Sequence, residues 1–195
     1  MTRLTDLVFS LLLIILCSPL FLFLAIWIML DSPGPVIYKQ LRVGRYGKEF
    51  MLFKFRSMRL NADKESLLTL SEADSRITRS GTFLRRYKID ELPQLFNVLL
   101  GEMSLVGPRP EVQKYVALYT AEQKSVLNIR PGITDMASIH YANENAILEQ
   151  QADPERYYVE HIMPDKIKLN QVYINDPSFG NYCRILLLTV KVLLK

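Results

Sequence analysis

Residues 7–30 read LVFSLLLIILCSPLFLFLAIWIML, and no charged side chain interrupts them. At about 1.5 Å rise per residue, a helix of about 24 residues reaches roughly 36 Å, enough for a bilayer core. The segment therefore belongs in a membrane. A cleavable signal peptide is the rival reading. The run is longer than a usual h-region, however, and continues into Asp31-Ser32-Pro33-Gly34-Pro35 without a small-x-small cleavage site. The segment is expected to be retained.

Ser18 and Pro19 stand at the midpoint of the run. Pro19 removes one backbone donor, and its ring opposes the carbonyl of Ile15. Sequence physics leaves two outcomes open. The helix spans with a kink, the Ser18 hydroxyl re-satisfying the freed carbonyl, or the chain turns back at Ser18-Pro19. Arg3 lies before the run, and Lys39, Arg42, Arg45, Lys48, Lys54, Arg56 and Arg59 lie after it. The domain formed by residues 32–195 is therefore expected on the cytoplasmic face of the membrane. A re-entrant hairpin over residues 1–31 would keep both basic flanks on that side.

The rest of the 195 residues fits one catalytic unit, and 49% apolar content suffices for a core with surface left over for lipid. A net charge of +4 and a pI near 9.0 suit an anionic partner: a lipid headgroup, a phosphorylated substrate or nucleic acid. Nucleic acid is not expected, since no helix-turn-helix, zinc-finger or RNP pattern occurs. No P-loop string is present either. Cys17 and Cys183 lack the spacing of a zinc or redox pair and read as free thiols. His140 and His161 stand apart from any ligand spacing and read as surface or satisfied core residues.

Val36 to Arg42 and Glu49 to Ser57 are rich in β-branched and aromatic residues, and residues 44–48 (GRYGK) separate them, which predicts a hairpin. In the second strand Met51, Phe53 and Phe55 form an apolar face, and Lys54 and Arg56 share the other with Leu52. That second face is either a solvated strand surface or a place for an anion. Helices are expected over Asn61 to Leu70 and Ser80 to Tyr87, with an exposed loop from Ser71 to Arg76. Thr120 to Gln123 reads as a capping box, and Arg130-Pro131-Gly132 ends the helix it opens. Pro164 to Ile174 should be helical, and Ile185 to Leu194 reads as an amphipathic interfacial helix. The expected fold is α+β and mainly helical: an N-terminal re-entrant helix-break-helix, a small β-hairpin and interfacial amphipathic helices.

The chemistry points to residues 89–101, IDELPQLFNVLLG. Leu92, Leu95, Phe96 and Leu99 fall at helical spacing, Asp90 is a natural N-cap, Pro93 suits the first turn, and Gly101 stops the helix. Adjacent carboxylates at a helix start are usually a cap with a favourable dipole contact. Here Arg85, Arg86 and Lys88 precede the pair, and Gly107-Pro108-Arg109-Pro110 follows on a rigid turn. Cations beside carboxylates at a positive helix end suit an anionic substrate. Arg86 and Lys88 read as a solvated or headgroup-facing surface.

At these residues the chain resembles the bacterial sugar transferases, the monotopic phosphoglycosyl transferases, in their short form without an N-terminal extension. The matching stretches are Ser32-Pro33-Gly34-Pro35, Lys39-Gln40, Arg42-Val43-Gly44, residues 54–58 (KFRSM), Leu84-Arg85 and Asp90-Glu91-Leu92-Pro93-Gln94. Residues 103–111 (MSLVGPRPE) and 130–134 (RPGIT) continue them in family order. The resemblance implies a polyprenyl-phosphate sugar-1-phosphate transferase. Asp90 would attack the phosphorus that bears the sugar, expel UMP from a UDP-sugar and hold a phosphosugar ester, which undecaprenyl phosphate then takes up. Glu91 would have an acid-base or positioning role, Mg2+ would sit at Asp90, and Ser18-Pro19 would break a helix that never crosses the membrane. The partners implied are UDP-sugar, polyprenyl phosphate, membrane lipid and downstream glycosyltransferases of capsule, O-antigen, exopolysaccharide or glycoprotein synthesis.

A carboxylate about 4 Å from a phosphoryl charge meets roughly 4 kcal/mol of repulsion at an effective dielectric near 20, or about a thousandfold in rate. Lys54, Arg56, Arg85 and Arg109, the last held between Pro108 and Pro110, are the substrate-binding residues expected to offset it. The three arginines are expected to face Asp90. Beyond Thr134 the chain departs from the pattern at residues 135–139 (DMASI), which leaves sugar selection open. Residues 164–169 (PDKIKL) resemble a variant of short members that handle N-acetylated amino sugars. The competing class is a non-catalytic membrane adaptor with a basic surface, for which Asp90 would be dispensable.

Overall fold

The computed structural model describes residues 2–62 and 74–193. The helix expected to reach Leu70 and the start of the loop at Ser71 lie outside the described residues. The first element, α1, runs Thr2–Asp31 as one helix. Asp6, Ser10, Leu24 and Ile28 are buried, and Ile14 and Phe21 pack against the body between them. These positions, three or four apart or multiples of that, form one stripe along the helix. Away from it the helix is bare: Leu16 is 77% exposed and Leu30 82%. Apolar side chains so exposed over this length call for lipid.

The expected helix-break-helix is here a single helix. Pro19 lies inside α1, and the Ser18 hydroxyl donates to the Ile15 carbonyl at 2.8 Å, replacing the bond that proline cannot make. Both ends of α1 are tied to the same body. Arg3 donates to the carbonyls of Val98 at 2.7 Å and Leu99 at 3.3 Å. Asp6 accepts from the Ser104 hydroxyl, the Leu105 amide at 2.9 Å and the Tyr182 hydroxyl at 2.7 Å. At the far end Asp31 accepts from the amide and the hydroxyl of Ser80, both at 2.8 Å.

Strands β1 (Ile37–Val43) and β2 (Glu49–Phe55) form the expected antiparallel hairpin, with Ile37 opposite Phe55 and Val43 opposite Glu49. The Lys54 side of β2 is not a solvated face, whereas the side expected to be apolar, Met51-Phe53-Phe55, is partly open, with Met51 47% exposed. Phe50 and Leu52 enter the central core beside Lys54, and Phe55 packs on α1, where its ring meets Phe21 edge-on at 5.5 Å. Helix α2 (Arg79–Arg86) starts at Thr78, whose hydroxyl accepts from the Gly81 amide at 3.0 Å. A 3-10 turn, Ile89–Glu91, leads into α3 (Gln94–Leu100), which Gly101 ends at φ 88 as expected. Asp90 is not the N-cap of α3. Pro93 takes that position, and Asp90 sits in the turn before it.

Strand β3 (Ser104–Val106) pairs in parallel with β4 (Gly132–Thr134), a pairing the sequence reading lacked. Helix α4 (Gln113–Val116) and a 3-10 helix, Gln123–Asn128, lie between them. The capping box is present: the Thr120 amide donates to the Gln123 side chain at 2.9 Å, and the Gln123 amide to the Thr120 hydroxyl at 3.2 Å. Then follow α5 (Met136–His140), α6 (Glu144–Glu149), α7 (Pro154–Tyr157), a π-helical stretch Tyr158–Ile162, α8 (Met163–Asn175) and α9 (Phe179–Leu193). Helix α9 is amphipathic, with Tyr182 and Ile185 buried while Leu187 and Val190 face outward. The architecture is α+β and mainly helical.

Candidate active site

The site begins where α2 ends. Lys88 adopts a left-handed conformation at φ 56, rare for a residue with a side chain. It turns the chain sharply, and the 3-10 turn that follows places Asp90 and Glu91 side by side under β2. Asn97, fully buried on α3, fixes that placement. Its side chain accepts from the Phe53 amide at 3.0 Å and donates to the Met51 carbonyl at 2.7 Å, so α3 is hydrogen-bonded to β2 at backbone level. Asn97 was missed by the sequence reading. Its signal was an amide inside an apolar helix.

Glu91 is saturated with cations. Lys54 donates to it at 2.9 Å, and Arg109 grips it with both terminal nitrogens, one at 3.2 Å and one closer. Burial would push the Glu91 carboxyl up, but Arg109 and Lys54 together hold it well below the usual carboxylate range. Glu91 is thus a permanently ionised anchor. It raises Arg109 above its ordinary value, while burial draws Lys54 down.

Asp90 differs in every respect. It is 7% exposed, and no hydrogen bond to its carboxylate forms among the described residues. Burial pushes it up; Lys54, Arg85 and Arg109 pull it down, and Glu91 adds to the rise, so the net shift is upward. A more basic, uncommitted carboxylate beside three cations is suited to attack an electrophile that arrives with negative charge.

The Arg109 turn is pinned at every backbone step. Pro108 accepts from the Gly132 amide at 3.0 Å, the Arg109 amide donates to Asp135 at 2.9 Å, and Pro110 accepts from Arg42 at 2.9 Å. A Cβ on Gly132 would lie 2.1 Å from the Gly107 nitrogen, so the approach of the two segments requires glycine. Pro108 and Pro110 are buried, and what the turn presents is the Arg109 side chain. Asp135 also accepts from the Ser138 amide at 2.5 Å and from Asn170 at 2.8 Å. It ties the Arg109 turn to α5 and α8, a role not read from the sequence.

Arg56 does not join this site. Its guanidinium donates to the carbonyls of Pro33 at 2.8 Å, Ser32 at 2.6 Å and Ile28 at 3.3 Å, at the carboxyl end of α1. Unpaired helix-end carbonyls draw a cation, and Arg56 is spent on them. Of the three arginines expected at Asp90, Arg85 and Arg109 act on it, and the largest cationic pull comes from Lys54. His140 and His161 are surface residues, the first edge-on to Tyr141 and the second tilted against Tyr157.

No cluster of three acidic, histidine or cysteine side chains occurs among the described residues. A divalent cation would find one uncommitted carboxylate, Asp90. That donor set fits Mg2+ in its usual enzymic form, held by one or two carboxylates with substrate phosphates and water completing the shell.

A buried Asp90 and a partly buried Glu91 ringed by cations, on a body that carries a long and largely exposed apolar helix, make up the candidate site. The sequence profile described as bacterial sugar transferase matches residues 1–195, and the chain belongs to that family. A UDP-glucose:undecaprenyl-phosphate glucose-1-phosphate transferase of Klebsiella pneumoniae is 36% identical over 192 residues, covering 96% of this chain and 39% of that protein. A UDP-N-acetylgalactosamine-undecaprenyl-phosphate N-acetylgalactosaminephosphotransferase of Aeromonas hydrophila is 40% identical over 159 residues, or 80% of this chain and 36% of that protein. The sugar transferase EpsL of Bacillus subtilis, whose name carries no substrate, is 38% identical over 98% of this chain and 86% of its own length. The chain thus spans well under half of the two relatives named for a substrate.

Proposed function

We propose that this protein transfers a sugar 1-phosphate from a UDP-sugar to undecaprenyl phosphate through a covalent intermediate on Asp90. One observation supports this most: two adjacent buried carboxylates are differentiated, Glu91 tied by two cations and Asp90 left uncommitted beside them. In the first step an Asp90 oxygen bonds to the sugar-bearing phosphorus and the bridging P–O bond breaks, releasing UMP. In the second an oxygen of undecaprenyl phosphate bonds to the same phosphorus and the Asp90 ester breaks, restoring the carboxylate. Neither step changes the proton count.

Glu91 acts here as a positioning residue. Its depressed pKa makes it a poor proton carrier near neutrality, whereas its bonds aim Lys54 and Arg109 at the phosphate oxygens. Arg85, half-buried at the end of α2, adds a third cation. Asp90 would be the residue that holds Mg2+, which would supply further charge neutralisation.

The same reading keeps α1 re-entrant, with the catalytic body on the cytoplasmic face of the inner membrane. Support comes from the bonds of Arg3 and Asp6 at one end and Asp31 at the other, all to one body. Ties of both ends to one body favour a helix that keeps those ends on one side of the membrane. The lipid-linked product would then pass to downstream glycosyltransferases.

The test is UMP release by purified protein with Mg2+ and undecaprenyl phosphate, across UDP-glucose, UDP-galactose and the UDP-N-acetylhexosamines. Release with at least one donor, and a phosphosugar adduct on the Asp90 peptide by mass spectrometry, are expected. No release with any donor from folded protein would reject the reading.

A further inference from the structure

Asp90, Gln94 and Asn97 recur at intervals of four and three, the spacing of one side of a helix. Leu92 and Pro93, between the 3-10 turn and α3, both keep right-handed backbone, so this side runs on without a reversal. All three side chains are buried, at 7%, 2% and 0% exposed. Asn97 spends its amide on the β2 backbone, as described above, and gives its second N–H to Glu102 at 2.7 Å. Those bonds set this side of the segment against the strand that carries Lys54.

Gln94 has no such outlet. Its side-chain nitrogen is shut off from solvent and donates to no group among the described residues. A buried N–H without an acceptor is rare and costly, and here its helix neighbours Leu95 and Val98 belong to an apolar core that offers none. Asp90, one turn away, has the opposite deficit: its carboxylate is buried and accepts no hydrogen bond among the described residues. Lys54 and Arg109 do not supply one, because both are bonded to Glu91. A donor and an acceptor, each buried and each unpaired, thus stand at i+4 and i on one short segment. At that spacing glutamine and aspartate side chains come within reach of each other.

We propose that Gln94 is a positioning residue for the transfer, its side-chain N–H donating to the Asp90 oxygen that does not bond phosphorus. The inference rests on the reading of Asp90 as nucleophile. A carboxylate without hydrogen bonds turns in a broad torsional well and presents neither oxygen steadily. A bond to one oxygen holds the other in line with the phosphorus. As that second oxygen bonds to phosphorus, the first becomes the carbonyl oxygen of the acyl phosphate. It keeps the lone pair that accepts from Gln94, and the proton stays on nitrogen. The pair is open in this structure, and hydrogen bonds of this kind commonly tighten only once substrate is in place.

The experiment uses full-length protein in detergent, with Mg2+ and a UDP-sugar that supports UMP release. Gln94→Met keeps the length of the side chain and removes the N–H. Adduct formation in a single turnover and kcat should both fall about 10- to 100-fold, with KM for the UDP-sugar within about threefold of wild type. The melting temperature should hold or rise, because an apolar group of the same shape removes the unpaired donor. Slower chemistry in an equally stable protein is a result that a merely structural glutamine would not give. A kcat within about threefold of wild type overturns the proposal, as does a loss of rate that comes only with a matching loss of stability. A raised KM with kcat kept also overturns it, since the amide would then serve the substrate. Where Gln94→Met does not fold, Gln94→Glu, of the same shape, decides on the same rates, and adduct formation at the wild-type rate is the overturning result. A wild type that releases no UMP with any donor fails the parent reading instead, so the two failures are told apart.

Discussion

Lys54, in β2, and Arg56, just past its end, stand two residues apart in the sequence, yet they belong to different regions of the molecule. Lys54 meets a carboxylate, Glu91, with a second carboxylate uncommitted beside it. Arg56 meets only backbone carbonyls at the end of α1. Arg56 is buried and Lys54 nearly so, and Arg56 keeps one buried nitrogen, Nε, without a partner. The difference lies in which acid is left over: around Lys54 an underused anion and an open field of positive charge, around Arg56 only carbonyls already in use. Buried charge therefore marks chemistry here only where its partners leave a reactive group over. Gly34 shows how closed the second region is, since a Cβ there would lie 2.1 Å from an Arg56 nitrogen.

The sharpest way to break this contrast is Asp90→Asn, which keeps the shape and removes the nucleophile. UMP release is expected to fall about ten-thousandfold or more, with the folded state retained by circular dichroism. Residual activity within tenfold of wild type would move the reactive group elsewhere. Next comes Arg109→Lys. A lysine keeps the charge but cannot grip both Glu91 oxygens, so a loss of roughly a hundredfold in kcat is expected, with KM less affected.

Smaller still is the effect of pH. Asp90 must be ionised to attack, and burial raises it above its ordinary 3.8, so UMP release should decline on acidification at a pH above that value. Lys54 pulls Asp90 down, so Lys54→Met should raise the Asp90 pKa further and move the acid limb to higher pH. A limb that stays in place would mean that another group governs it. Arg56→Leu probes the other region. It should lower thermal stability, by roughly 2–4 kcal/mol, as three buried carbonyls lose their donor. The folded fraction should transfer sugar phosphate within about threefold of wild type. A large kcat defect at unchanged stability would return Arg56 to the reaction centre.

How much of this was legible in the sequence depended on the range of the interactions. The hairpin, the capping box at Thr120 and the stop at Gly101 are set by neighbours within a few residues and stand where their patterns placed them, and the amphipathic α9 is present but begins at Phe179, six residues before the expected start. Asp90 and Glu91 were legible as chemistry because acids and bases crowd one short stretch. The fate of Arg56 was not, because strand alternation gives it the same face as Lys54 and its partners lie 23 to 28 residues upstream. Asn97, Asp135 and the short parallel pair β3–β4 are non-local in the same way. The 3-10 turn displaced Asp90 from the N-cap because Lys88 takes a left-handed conformation that no local pattern announced.

The gentlest test concerns α1 and the Ser18 bond to the Ile15 carbonyl. In lipid that carbonyl has no water to turn to, so Ser18→Ala should cost about 1 kcal/mol of stability in detergent or bilayer. Pro19→Ala returns a backbone N–H to the same carbonyl, so the double variant should recover most of the loss. If the two changes add instead, the hydroxyl is not replacing the missing backbone donor. The Pro19→Ala helix also has one less reason to bend, which makes it the probe of topology. With Cys17 and Cys183 replaced and Thr2→Cys added, the native helix should be labelled from the cytoplasmic side, where Arg3 and Asp6 hold it to the body. Labelling from the outer side alone would require those buried bonds to open, and the re-entrant reading would fail with them.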